Sequence, residues 1–266
     1  MLSLASRLAG IAGVIAIGVG IASCGPKGEE PSDAVKNASA AAHKAADQFV
    51  ALAHGSETSG QAPRQTDPAA GPLLDAVFNT SVLHGGPIPS VSQIDPINDW
   101  LLSTFKVGQV YMLAGTGLTD ITKATDPATE ARAEANVVTY APEFGRYIDA
   151  QLSVLDETAV VFNKELAANP GFATANADTT RGVAKVKSGV TTTLIGDIAT
   201  LQTQGLTDEW RRARMAPLLA AAPDAAKLVP PADKTKLHDT ALQVAAVLTD
   251  PEVKAKLTSF ADIISR

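Results

Sequence analysis

The chain has 266 residues, 45% of them hydrophobic and 19% charged, and its 28 acidic side chains outnumber 22 basic ones for a net charge of −6 at pH 7. An acidic chain with no long basic run lacks the footprint that phosphate backbones require, which argues against nucleic acid and against anionic headgroups as partners. Cys24 is the single cysteine, so disulfides and thiolate metal clusters within one chain are excluded. A chain of this length buries a large core and needs neither a metal nor a disulfide to fold.

At the N-terminus one cation, Arg7, precedes an uncharged run from Leu8 to Ala22. The run holds 15 residues and is diluted by Gly10, Gly13, Gly18 and Gly20. It falls short of the roughly 20 apolar residues that span a bilayer and reads as a cleaved signal, residues 1–23. It ends in Ile21, Ala22, Ser23 and Cys24, an aliphatic residue and two small ones before the cysteine. This resembles the lipobox of bacterial lipoprotein precursors. The resemblance implies that the Cys24 thiol takes a diacylglyceryl group, that a dedicated peptidase recognises Ile21, Ala22 and Ser23 and cuts before Cys24, and that the lipid is the contact with the membrane. It also implies a cell-envelope address, and Gly25 in place of an aspartate next to the cysteine points to the outer membrane, facing the periplasm. Residues 24–32, polar and rich in helix breakers, read as a tether.

The rest reads as all-α, a helical bundle of about six to seven helices behind the lipid anchor and its flexible tether. Residues 33–54 form an Ala-rich helix with a weak packing face, because only Val35, Phe49, Val50 and Leu52 are larger apolar groups. Residues 55–71 hold Gly, Ser, Pro, Thr and Gln without period and read as a linker, and residues 79–92 as a second long loop. The main helical domain takes residues 72–266. Asp-Pro at 95/96, 126/127 and 250/251 each precede a periodic segment, as expected when Asp caps a helix and Pro fills its first position.

Helical spacing recurs along that domain. Ile97, Trp100, Leu101, Thr104, Phe105, Gly108, Tyr111 and Met112 share one face. Phe144, Ile148, Leu152, Leu155, Ala159, Phe162 and Leu166 share another, until Asn169, Pro170 and Gly171 stop it. Val183, Val186, Val190, Leu194, Ile198 and Leu201 make a third stripe. Leu237, Ala241, Val244 and Leu248 make a fourth, and Val253, Leu257, Phe260 and Ile263 a fifth. The third stripe is flanked by Gly182, Gly189 and Gly196, one line at seven-residue intervals, which suggests the close approach of another helix.

Residues 107–120 and 195–208 both end in Gly-Leu-Thr-Asp after similar apolar positions, a weak internal repeat over 95–120 and 183–208. Gly117 and Gly205 are expected at C′ in the left-handed conformation, with Leu118 and Leu206 folding back on Leu113 and Leu201.

Chemistry is sparse. His43 and Asp47, at i and i+4, are the one candidate pair of metal ligands, and a solvated pair is the preferred reading of them. Ser103 and Lys106 match the Ser-x-x-Lys of penicillin-recognising enzymes, and Lys187, Ser188 and Gly189 look like its second element, but the Ser-Asp-Asn element is missing and that second motif lies in a helical stripe. His84, Gly85, Gly86 and Pro87 resemble an esterase oxyanion loop without the accompanying Gly-x-Ser-x-Gly, so a turn is the better reading. Trp210, Arg211, Arg212 and Arg214 offer an anion site, against which Asp208 and Glu209 stand ready to pair with the arginines. No catalytic residue and no cofactor is assigned. The leading expectation is a non-enzymatic protein, anchored to the membrane through its N-terminal lipid, that binds or scaffolds another envelope component, with an envelope protein as partner. The alternative is a ligand-binding or enzymatic domain whose site is assembled from distant residues.

Overall fold

The computed structural model describes residues 30–266 except residues 85, 121, 122, 124 and 125. Ile21, Ala22, Ser23, Cys24, most of the tether and Gly85 therefore lie outside the described residues. Among the described residues there is no strand. Ten α-helices follow one another: α1 (Asp33–Leu52), α2 (Ser56–Ser59), α3 (Gly71–Phe78), α4 (Asp95–Leu113), α5 (Pro127–Thr139), α6 (Ala141–Ala168), α7 (Ala177–Thr200), α8 (Asp208–Leu228), α9 (Pro231–Val247) and α10 (Pro251–Ser265). The fold is all-α, with more helices than the six or seven that apolar periodicity marks. The additional ones are short, like α2 and α3, or bury mostly small residues, like α8.

The helix starts follow from side chains that satisfy free backbone N–H groups. Asp126 accepts from Ala128 and Thr129, Asn176 from Thr179, Thr207 from Trp210 and Asp250 from Val253. Asp95 departs from the Asp-Pro expectation: it is the first residue of α4 rather than its cap, and no side chain caps that helix.

α1 and α4 run parallel, since the Ser39 hydroxyl donates to the Pro96 carbonyl near their starts and Phe49 meets Tyr111 at 5.6 Å near their ends. α6 runs against α4: Tyr140 stands at the start of α6 beside Tyr111 at 5.1 Å, and Lys164 reaches back to the Ile88 carbonyl. α8 runs with α6, because Trp210 Nε1 donates to the Ala141 carbonyl at 2.6 Å and Asn163 donates to the Asp224 carbonyl at 2.9 Å. α9 and α10 pack on one another and α10 on α8. The bundle thus has a proximal end, where α1 begins and α6 and α8 finish. Its distal end holds α2, the ends of α1 and α4, and the starts of α6 and α8.

Between the helices lie Phe49, Trp100, Tyr111, Phe144, Tyr147, Phe162 and Phe260, all fully buried. Burying a side chain of the size of Phe contributes up to roughly 3 kcal/mol. Phe260 is buried on α10 as its stripe predicts, but Ile264 rather than Ile263 completes that face.

Two expectations need correction. The Ala-rich helix does not pack weakly: Val35, Ala42, Ala46 and Phe49 are buried, and α1 lies along both α3 and α4. Small alanines let the helix axes approach, so the docking surface is backbone and methyl groups rather than large side chains. Residues 55–71 are not a free linker. The Tyr140 hydroxyl donates to the Gly60 carbonyl and accepts from the Ala62 N–H, each at 2.9 Å, and the Tyr111 hydroxyl donates to the Pro63 carbonyl. Gln65 N–H donates to the buried carboxylate of Glu143 at 3.0 Å, while Arg64 lies over the Tyr140 ring. Residues 79–92 also carry two 3₁₀ turns that bury Leu83 and Val91.

Gly117 and Gly205 adopt the left-handed conformation, with φ of 76° and 92°. Neither sits at C′. α4 is capped by Ala114 and α7 by Leu201, so both glycines fall in the turn beyond.

Candidate functional site

A cavity of about 450 Å³ opens at the distal end, between the last turn of α1, α2 and the last turns of α4. Two glycines beyond α4 are hydrogen-bonded to the cavity's lining residues Ser56 and Glu57. Gly115, left-handed at φ 72°, donates its N–H to the Ser56 carbonyl at 2.9 Å, and Gly117 donates to the Glu57 carbonyl at 2.7 Å. Gly60 and Gly115 pack backbone to backbone under Arg132, where any Cβ would strike the guanidinium. The segment read as a linker is thereby stitched to the loop after α4, and together they enclose a site no single stretch of sequence contains.

The cavity's walls are mixed. Val110, Leu113 and Leu118 are aliphatic, and Val50 adds a side chain that is 41% exposed. Asp47 and Lys106 form an ion pair across α1 and α4 at 2.7 Å, which holds the Asp47 carboxyl below its ordinary value. Glu57 turns one oxygen back to the Gly55 N–H at 3.0 Å. His54 and Gln109 complete the polar side. A volume in the range of roughly 300–1,000 Å³ with an apolar wall and a few convergent polar groups is the general form of a binding site.

The candidate metal pair, His43 and Asp47, lies on the exposed face of α1. His43 Nε2 and Asp47 Oδ2 lie 3.6 Å apart, both side chains are more than half exposed, and the other Asp47 oxygen belongs to Lys106. No group of three or more His, Cys, Asp or Glu among the described residues has the arrangement to hold an ion. The pair is solvated.

Ser103 and Lys106 are not brought together for chemistry either. The Ser103 hydroxyl is buried and donates to the Asp99 carbonyl of its own helix, while Lys106 points to Asp47. Lys187, Ser188 and Gly189 lie within α7, where no strand can present them. Trp210 and its arginines staple the fold. Arg211 pairs with Asp208 and donates to the Leu201 and Thr203 carbonyls, Arg212 holds Asp250 at 2.7 Å and keeps its carboxyl low, and Arg214 stands over the Trp210 ring. All three arginines are thus engaged with the protein's own acidic groups, Arg214 through Asp149 at 2.7 Å.

Two arrangements escape sequence reading. His84 Nε2 meets Ser153 Oγ at 2.8 Å at the surface, with the Asp156 carboxylate within electrostatic reach of the imidazole. Between α6 and α7, the Tyr147 hydroxyl, Gln151 Oε1, Thr193 Oγ1 and Asp197 Oδ2 are buried without hydrogen-bond partners. Burial, aided by the nearby Asp149, pushes the Asp197 carboxyl well above its ordinary value. Asp149 itself is pushed up to about 6 by burial, against the pull of Arg214. Their i, i+4 spacings put these oxygens on facing sides of two helices, a pattern visible in sequence only once the pairing of α6 with α7 is known.

No protein family, no curated protein and no solved structure matches the chain.

Proposed function

We propose that the mature protein is a non-enzymatic binding protein of the bacterial cell envelope, held by lipid on Cys24 at the outer membrane and facing the periplasm, which engages another envelope component through the distal cavity. The observation that carries this reading is the cavity's chemistry. Asp47 is paired with Lys106, Glu57 accepts one backbone N–H, and no nucleophile with an oriented base lines the cavity, so it is built to hold rather than to transform. Support for the anchor comes from Ile21, Ala22, Ser23 and Cys24 at the end of a short apolar run, and no helix among the described residues is long and apolar enough to cross a membrane. Two or three acyl chains bind stably where one binds only marginally.

Two measurements test this. Cys24→Ser is expected to block processing and leave a precursor heavier by residues 1–23, with mass spectrometry of the wild-type N-terminal peptide showing the lipid. An unmodified Cys24, or cleavage elsewhere, removes the anchor. Affinity capture from solubilised membranes is expected to return the same component repeatedly with wild type and to lose it when Leu118→Asp spoils the cavity wall. Repeated capture of nothing overturns the binding function.

A further inference from the structure

The charges lining the distal cavity do not cancel. Asp47 and Lys106 neutralise each other at 2.7 Å. That leaves the half-buried Glu57, which keeps one oxygen free after accepting the Gly55 N–H and has no basic side chain paired with it among the described residues. Beside it the wall is aliphatic, with Val110 and Leu118 partly exposed and Val50 at 41%. An uncompensated carboxylate next to exposed aliphatic surface is complementary to a cation borne on or beside an apolar side chain.

The cavity also lies towards the far end of α1 from residues 30–32. α1 begins at Asp33 and reaches Asp47 after 14 residues, so at about 1.5 Å per residue the site stands roughly 21 Å beyond the end that the tether enters. An acidic site repels phosphate headgroups, which favours an occupant other than lipid.

We infer that the cavity is the docking site for a segment of a partner protein that presents an arginine beside an aliphatic residue. The guanidinium takes the free oxygen of Glu57, its methylene stem lies on Val110, and the aliphatic neighbour covers Val50 and Leu118. Arginine is favoured over lysine because its planar fork matches a carboxylate and its weakly hydrated head tolerates partial burial. Arginine is also over-represented among the residues that dominate interfaces. This inference rests on the proposed binding function and specifies the partner's chemistry.

The test titrates the mature lipidated chain, in nanodiscs of a zwitterionic lipid, with fluorescent peptides of sequence Ala-Leu-Arg-Leu-Ala and the variants with Gln or Glu in place of Arg, read by anisotropy. The Arg peptide is expected to bind saturably and about tenfold or more tighter than the Gln peptide, with the Glu peptide weakest. Glu57→Gln is expected to erase the preference for Arg, and Val110→Asp to abolish binding of the Gln peptide as well. Equal affinity for the three peptides, no saturable binding, or a preference for Arg that survives Glu57→Gln overturns the inference. If membranes yield a partner whose capture is indifferent to Glu57→Gln while the peptides fail, this site is wrong and the binding function stands.

Discussion

Gly108 of α4 lies directly under the ring of Tyr147 of α6, so that a Cβ at Gly108 would stand 2.6 Å from Cε2 and 2.8 Å from Cδ2 of the tyrosine. The ring has little room to withdraw. It is fully buried and set edge-on against Phe144, with centroids 5.8 Å apart. Gly108→Ala gains up to about 1 kcal/mol of helix propensity, while forcing a methyl into this contact costs about 1 to 3 kcal/mol. The expected result is a lower urea midpoint with an unchanged m-value. A raised midpoint means that α4 and α6 do not approach as closely as the structure has them.

Tyr140 ties the segment after α1 to the bundle through one hydroxyl that both donates and accepts, to Gly60 and from Ala62. Tyr140→Phe leaves a buried N–H and a carbonyl without partners, at a cost of about 1 to 3 kcal/mol. Residues 55–71 should accordingly resist limited proteolysis in the wild-type protein and become the first site of nicking in the variant. Ready cleavage there in the wild type restores the linker reading.

What the sequence made legible tracks the size of the buried side chains. α6 announces itself through Phe144, Ile148, Leu152, Leu155 and Phe162, all buried, and its stop at Asn169 is where the helix is capped. α8 packs more extensively on α6 than α7 does, yet it shows no comparable stripe. Its buried face is Met215 and Leu218 followed by Ala221, Ala222, Ala225 and Ala226, with Pro217 and Pro223 inside a continuous helix. Alanine marks burial poorly in sequence, and proline reads as a break until neighbouring helices are seen to hold the backbone. The same holds for α1. The cavity was less legible still, because Glu57, Val110 and Leu118 are joined by hydrogen bonds from Gly115 and Gly117, and backbone bonds between distant loops leave no compositional trace.

Stability should decline from mild acid towards neutrality. Burial pushes Asp149 up to about 6, and pushes Glu157 up to about 7 with help from Asp156. Asp156 and Asp197 move the same way. A carboxyl raised in the folded state contributes stability in full below its unfolded value, near 3.8 for Asp and 4.5 for Glu, and loses it as pH rises through the folded value. Asp47, Asp126 and Asp250 act oppositely: hydrogen bonds lower them, so their contribution is lost as pH falls below about 4. The thermal midpoint is expected to be higher near pH 5 than near pH 8, and Asp149→Asn with Glu157→Gln should flatten that decline. A midpoint that climbs from about pH 5 to about pH 8 contradicts the assignment.

The glycine line on α7 gives the sharpest test of packing read from sequence. Gly182, Gly189 and Gly196 are all buried, as are Val183, Val186, Val190 and Leu194 between them. Each glycine costs up to about 1 kcal/mol relative to alanine in a helix interior, so three in one helix need a compensating close contact. Gly189→Leu separates the two explanations by sign. If the position faced open space, the better helix former would stabilise by something under 1 kcal/mol. With the position buried, a leucine overpacks it, and the expected loss is about 1 to 3 kcal/mol, with Gly189→Ala in between. Urea denaturation of the three proteins decides between them. A midpoint that rises in Gly189→Leu at constant m would show that nothing packs on this seam.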